Sequence, residues 1–227
     1  MRLDQRISQA LAISRSDAKR QIKTGYVSVD GKICTQPSHH VRDEQTVYFQ
    51  NQRADIVKEQ YIMLHKPAGF VCSHIDDGYP SALQLIDANP KKLHFAGRLD
   101  AETTGLVLLS SDGQWCHRVT SPNTQKQKHY HVSLAESLTT EAISQLEQGL
   151  ILRGEKQATA PCTITQIDDF TCNIVISEGK YHQVRRMFAA VGNHVNALHR
   201  FRIGQLPLDS LAEGAHRPLS QEEIQSF

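Results

Sequence analysis

The sequence predicts an α+β protein in two parts, a small amino-terminal α/β unit over residues 1–57 and a larger unit over residues 58–227. Three observations carry that expectation. Helical apolar spacing followed by a hairpin signal fills the chain as far as Cys34. A polar, unpatterned stretch at 51–60 reads as a linker. Beyond it, short apolar or alternating runs mix with helical spacing, without the regular alternation of a doubly wound parallel fold. A mixed, mainly antiparallel sheet flanked by helices is therefore expected for the larger unit.

The elements follow in order. Leu3, Ile7, Ala10 and Leu11 recur at the three-and-four spacing of a helix with one apolar face, leaving Arg2 and Arg6 elsewhere on its surface. Ser14, three residues before Asp17, resembles a capping box with Asp in place of Glu. Ala18 and Ile22 continue an apolar stripe until Gly25 offers a left-handed stop, which sets a second helix over about 15–24. Tyr26 to Val29 alternates as a strand, Asp30-Gly31 is a tight-turn pair, and Lys32-Ile33-Cys34 begins the return strand. After the linker, Tyr61–Leu64, Gly105–Leu109, Tyr130–Leu134 and Cys172–Ile176 read as strands, while Glu141–Gly149 and His182–Val191 have helical spacing.

Composition narrows the function classes. With 39% hydrophobic and 22% charged residues in 227, the chain can bury a sizeable core, which excludes disordered and fibrous classes. The first residues are charged, and no run of about 18 apolar residues follows, so a cytoplasmic protein without a membrane partner is expected. Five scattered cysteines with no C-x-x-C pair indicate reduced packing residues, not a disulfide framework or a zinc site. The net charge of +1 argues against a broadly basic nucleic-acid binder, but the charge is uneven. Residues 1–24 hold six basic side chains against two acids.

That basic end has a recognisable pattern. R-L-D-x-R-I-S, then S-R-S-D-A-K-R-x-I-K-x-G-Y-V-S-V-D-G-K, resembles the S4 RNA-binding domain over roughly residues 1–35. The resemblance implies that the second helix meets structured RNA, placing Arg15, Lys19, Arg20 and Lys23, with Arg2 nearby, against phosphates. Taken without it, the same residues are the solvated face of an amphipathic helix.

In the larger unit, Asp100 lies in Gly97-Arg98-Leu99-Asp100, directly before an apolar run. A lone Asp in such a loop is ordinarily a turn former. The full string G-R-L-D-A-E-T-T-G-L-V-L-L-S-S-D-G, however, resembles the signature of the pseudouridine synthases of the ribosomal small-subunit type. His65-Lys66-Pro67-Ala68-Gly69, Lys128-His129-Tyr130 and Glu178-Gly179-Lys180-Tyr181-His182-Gln183-Val184-Arg185-Arg186-Met187 resemble further segments of that family, in its order. Asp112 to Trp115 and Ala189 to Val195 agree as well.

The resemblance implies an isomerase that breaks the N1–C1′ bond of one uridine in small-subunit (16S) ribosomal RNA, uridine 516, and joins C5 to the same sugar carbon. No atom is gained or lost, so no redox cofactor, nucleotide or metal is implied. The partner would be small-subunit ribosomal RNA or the assembling particle, with the enzyme a monomer. A synthase for large-subunit RNA and a non-catalytic S4-type assembly factor are the alternatives.

Asp100 would serve as nucleophile or base, ionised in a site that excludes water. Burial alone would raise its pKa, so a nearby cation is required. Arg185 is the candidate, beside the stripe Val184, Met187, Phe188 and Val191. Lys180, Arg185 and Arg186 crowd a helix start where the dipole disfavours cations, so an anion is expected there, with Asp100 as the partner. Tyr130 shares a strand face with Lys128 and Val132, as a ring over the target base or as a core tyrosine. His129-x-His131 lacks a third metal ligand nearby. Arg200 and Arg202 alternate with Phe201 and Ile203, giving a basic face for RNA backbone or a solvated edge strand. Lys66 and Arg98 are assigned to the active-site wall.

Overall fold

Apolar spacing in the first residues is realised as two short helices, α1 (Leu3–Leu11) and α2 (Arg15–Lys23). The computed structural model describes residues 1–55, 59–76, 78–87, 93–121 and 124–227. Leu3 and Ile7 from α1 and Ala18 and Ile22 from α2 are fully buried. The Ser14 hydroxyl caps α2 by accepting from the Asp17 amide at 3.1 Å. Strand β1 (Val27–Val29) turns back into β2 (Lys32–Ile33) through Asp30 and Gly31, both at positive φ.

Two further strands, β3 (Val47–Phe49) and β4 (Gln52–Arg53), are additions to the expected elements, and they complete an antiparallel sheet of order β2-β1-β3-β4. The expected linker at 51–60 thus opens with strand β4. The expected junction between residues 57 and 58 lies outside the described residues; the chain divides into the compact units Met1–Lys58 and Glu59–Phe227.

The larger unit is built on strands β5 (Tyr61–Lys66), β6 (His94–Phe95), β7 (Thr104–Ser110), β8 (Lys128–Leu134), β9 (Thr163–Gln166), β10 (Thr171–Ile176), β11 (Val195–Ile203), β12 (Leu206–Pro207) and β13 (His216–Pro218). Their order is β13-β5-β7-β11-β8-β10-β9, with β6 added on β7 and β12 on β11. Every pair is antiparallel except β7 with β11, so the sheet is mixed and mainly antiparallel as expected.

Helices cover both faces. Val107 and Leu109 of β7 join a core completed by α4 (Thr140–Gln148) and α5 (Gln183–Ala190). Leu106 and Leu108 join another completed by α3 (Gly113–Thr120) and α6 (Gln221–Gln225). Burial on both faces is why β7 reads as a continuous apolar run.

Two backbone features set up the site. At Gly105, φ is +109° and a Cβ would lie 2.2 Å from the Arg200 carbonyl oxygen, so only glycine lets β11 pair alongside β7 here. On β11 the register against β8 shifts between Arg200, opposite Tyr130, and Arg202, opposite His129. Phe201 is the extra residue of a bulge, and the alternation expected from 200 to 203 fails: Arg200 and Ile203 are both buried. Among the described residues, no helix is long and apolar enough to cross a membrane, and all five cysteines are free thiols.

Candidate active site

The segment between β6 and β7 carries Asp100, and its backbone is fastened from several directions. The Leu99 amide donates to Cys72 Sγ at 3.4 Å, and the Thr103 amide to the Asp100 carbonyl at 3.1 Å. The Ala101 carbonyl accepts from the Gly69 amide at 3.0 Å and from Lys66 Nζ at 3.1 Å, while the Arg98 carbonyl accepts from Arg200 Nη1 at 3.3 Å. The Asp100 side chain, 33% exposed, faces a cleft of about 970 Å³. That volume accommodates a nucleotide.

Lys66 is fully buried and donates to the carbonyls of Pro67 at 2.7 Å, Phe70 at 2.8 Å and Ala101. Burial pushes its ammonium pKa down, partly offset by Cys72, Asp100 and other acids nearby. It braces the Asp100 loop from behind. Arg98 is exposed at the rim and contributes its carbonyl to that bracing.

Arg200 departs from the expectation of an RNA-facing residue. It is 3% exposed, with Nε donating to the Leu106 carbonyl at 2.8 Å and Nη1 reaching the Tyr130 hydroxyl at 3.4 Å. It continues the inward alternation from buried Leu198, and the bulge at Phe201 then brings Ile203, not Arg202, to the buried side. Arg202 is half-buried, with an Nε that has no partner among the described residues, so a solvated basic edge does not form. Tyr130, 8% exposed, packs in the wall of the cleft with the Arg200 guanidinium 5.9 Å from its ring centre, instead of standing over the cleft as a lid.

The expected Arg185–Asp100 ion pair is also absent. Arg185 Nη1 donates to the Val195 carbonyl at 2.9 Å, and its Nη2 is buried without a partner among the described residues. His182, in the left-handed conformation at φ 47°, precedes α5 and brings Nε2 within 3.3 Å of Asp100 Oδ1. Tyr181 stacks on this imidazole, ring centres 3.8 Å apart and planes inclined 20°.

An anion does answer the crowded helix start, but it is Glu155, 3.1 Å from Arg186 and 3.7 Å from Lys180. Sequence spacing holds no sign of Glu155. Nor does it single out His182, although the segment containing that residue carries the family resemblance.

The cleft therefore combines one accessible carboxylate on a fixed backbone, a tyrosine hydroxyl, and two guanidinium nitrogens, Arg185 Nη2 and Arg200 Nη2, that lack protein acceptors among the described residues. Half-buried Lys128 lines it too, its pKa lowered by burial and then by Arg200. His129 and His131 point away from Tyr130, and His131 Nδ1 lies 3.1 Å from Asn173 Oδ1. Among the described residues, no three His, Cys, Asp or Glu side chains cluster as a metal site.

In the amino-terminal unit, Asp4 is fully buried beneath Arg2, at 3.0 and 3.2 Å, and Arg15, at 2.9 Å. The hydrogen bond from Arg2, ahead of that from Arg15, holds its carboxyl at about 2. Arg20 pairs with Asp17 at 2.6 Å. Lys19 and Lys23 are exposed and form no ion pair among the described residues.

Known proteins match this arrangement end to end. Residues 60–190 match the RNA pseudouridylate synthase family and residues 1–47 match the S4 domain. The chain is 46% identical over 230 residues to the ribosomal small subunit pseudouridine synthase A of Haemophilus influenzae, covering 100% of this chain and 99% of that one. Against the protein of the same name from Escherichia coli K12 the identity is 46% over 229 residues, with the same coverage. A crystal structure of a pseudouridylate synthase superposes with a TM-score of 0.72 at 45% identity, covering 100% of this chain and 99% of that one. The chain belongs to the ribosomal small subunit pseudouridine synthase A family, isomerases that join an S4 domain to a pseudouridine synthase domain.

Proposed function

We propose that this enzyme converts one uridine of small-subunit ribosomal RNA, uridine 516 of the 16S molecule, to pseudouridine, with Asp100 as its catalytic carboxylate. The observation that carries the reading is the contrast within Asp100 itself: a backbone held at several points and a side chain open to a nucleotide-sized cleft. Preorganisation of this kind places a reactive oxygen without ordering it at the moment of reaction. The carboxylate acts at the sugar while N1–C1′ breaks and C5–C1′ forms, as nucleophile or as base; both roles need it ionised.

Tyr130 packs against the target base, its hydroxyl polarised by Arg200. Arg185 and Arg200 supply positive charge from the wall of the cleft, behind its surface. The amino-terminal unit grips RNA phosphates chiefly through Lys19, Lys23 and Arg20, with Arg2 and Arg15 set in place by Asp4. The partner is small-subunit ribosomal RNA or the assembling particle in the cytoplasm, and the enzyme works as a monomer without a cofactor.

The test is tritium release from C5-labelled uridine in small-subunit RNA by the wild type and Asp100→Asn. Release by the wild type and a drop of roughly a thousandfold or more in the variant are expected. Equal release by both proteins would overturn the assignment.

A further inference from the structure

Tyr181 is 76% exposed, more than any other large hydrophobic side chain among the described residues. Its backbone is nevertheless tied down. The Tyr181 carbonyl accepts from Arg186 Nη1 at 3.0 Å, and Arg186 is anchored in turn on Glu155 and on the Arg153 carbonyl at 2.6 Å. On the preceding residue, the Lys180 amide donates to Gln183 Oε1 at 2.8 Å and the Lys180 carbonyl accepts from the Gln183 amide at 3.2 Å. One face of the Tyr181 ring lies on the His182 imidazole, which reaches Asp100. Both residues line the cleft that holds Asp100.

A ring covered on one side and wet on the other, fixed at the mouth of a cleft, gains nothing for the stability of the fold from its exposed face. It suits a flat aromatic partner, because every nucleobase has a π-face and stacking on a protein aromatic tolerates any base. The left-handed backbone at His182 adds to this. Such a conformation is unfavourable for a residue with a Cβ and persists where the surroundings impose it, and here it aims the two-ring stack from Asp100 outward.

We infer that Tyr181 is a stacking platform for the unpaired nucleobase adjacent to the target uridine in the RNA strand, a second base site outside the pocket that takes the uracil. The inference rests on the proposed function in one respect, that Asp100 receives the ribose of the target nucleotide. The neighbouring base then meets the outer face of Tyr181 as the strand leaves the cleft. Tyr181 is a binding residue in this scheme and takes no part in proton transfer.

The experiment uses the full-length enzyme and a small-subunit RNA fragment containing the target uridine. The fragment is prepared intact and with an abasic sugar in place of the 5′ or the 3′ neighbour. Affinity is measured for the wild type, Tyr181→Ala and Tyr181→Phe, with thermal melting as the check on folding. For the wild type, removing one of the two neighbouring bases weakens binding about tenfold, and Tyr181→Ala binds intact RNA about tenfold more weakly. Tyr181→Ala no longer distinguishes intact from abasic RNA, Tyr181→Phe behaves as the wild type, and kcat changes by less than about threefold where a tenfold binding effect is seen.

Equal affinity of Tyr181→Ala and the wild type for intact RNA overturns the inference. So does an abasic penalty that persists undiminished in Tyr181→Ala, since the base would then be read elsewhere. Absence of tritium release by the wild type would sink the proposed function instead and leaves these affinities as a separate measurement.

Discussion

Asp4 in the amino-terminal unit and Asp100 in the larger one both lie among basic side chains, yet their surroundings differ in kind. Asp4 has no exposed surface and takes three hydrogen bonds from Arg2 and Arg15. Asp100 keeps a third of its side chain open, and among the described residues only His182 comes within ion-pair distance. At Asp4 the side chain is immobilised and its lone pairs are spent on arginines. At Asp100 it is the backbone that is immobilised, by Lys66, Arg200, Gly69 and Cys72, while the carboxylate oxygens are left for something else. A carboxylate that ties two elements together is saturated; the one proposed here to do chemistry is supported from behind and left open in front.

The pair of Asn substitutions is the sharpest way to break this contrast. Asp100→Asn is expected to lose roughly a thousandfold in tritium release with a melting temperature close to the wild type, whereas Asp4→Asn keeps the rate constant at saturating RNA. A large loss of stability in Asp100→Asn would erase the distinction.

Gly105→Ala strikes the support of Asp100 without touching the cleft. The added Cβ meets backbone that cannot yield, at a positive φ, so a loss of about 4 kcal/mol is expected in urea unfolding, with activity falling as Arg200 is displaced.

On the other side of the comparison, Lys19→Glu with Lys23→Glu should weaken RNA binding about tenfold and lower the slope of log affinity against log salt by about two. Unfolding midpoints should hold. An unchanged slope would remove α2 from the RNA contact.

The smallest effect concerns pH. The Asp4 carboxyl sits at about 2 in the folded chain against 3.8 ordinarily, so its contribution is complete above 3.8 and is lost as pH falls from there toward 2. Arg2 and Arg15 are 42% and 54% exposed, and water screens them, which limits the contribution to about 1 kcal/mol. In Asp4→Asn the stability of the amino-terminal unit should be that much lower near neutral pH and flatter through that acid window. An identical acid profile would show that Asp4 is not a structural tie.

Much of the fold is legible in the sequence where one local rule governs. Periodicity and the Ser14 cap locate α1 and α2, and Asp30-Gly31 locates the first hairpin. Strands β5, β7, β8 and β10 and helices α4 and α5 follow from apolar runs or spacing. β3 is only three residues long, and β4, β9 and β13 are short and carry polar or exposed positions. Trp115 stands out as part of a motif, but the helix α3 around it does not.

At the site, Asp100 and Lys66 can be found because the strings around them are distinctive. Their partners cannot. A bulge of one residue puts Arg200 and Ile203 on the same buried side, a left-handed residue puts His182 where Arg185 was expected, and Glu155 lies 31 residues from Arg186. Each depends on where distant backbone runs, which spacing along the chain does not encode.

The parallel pairing of strands β7 and β11, with Gly105 beside Arg200, joins residues nearly a hundred positions apart. Contacts of such long range form late, because the intervening chain must be ordered before they return any free energy. A chain emerging from the ribosome therefore closes the amino-terminal unit, whose contacts all fall within 58 residues, long before Arg200 exists to anchor the Asp100 loop. Synthesis imposes an order in which the S4 unit matures first, and the Asp100 loop gains its footing only as the last elements are made.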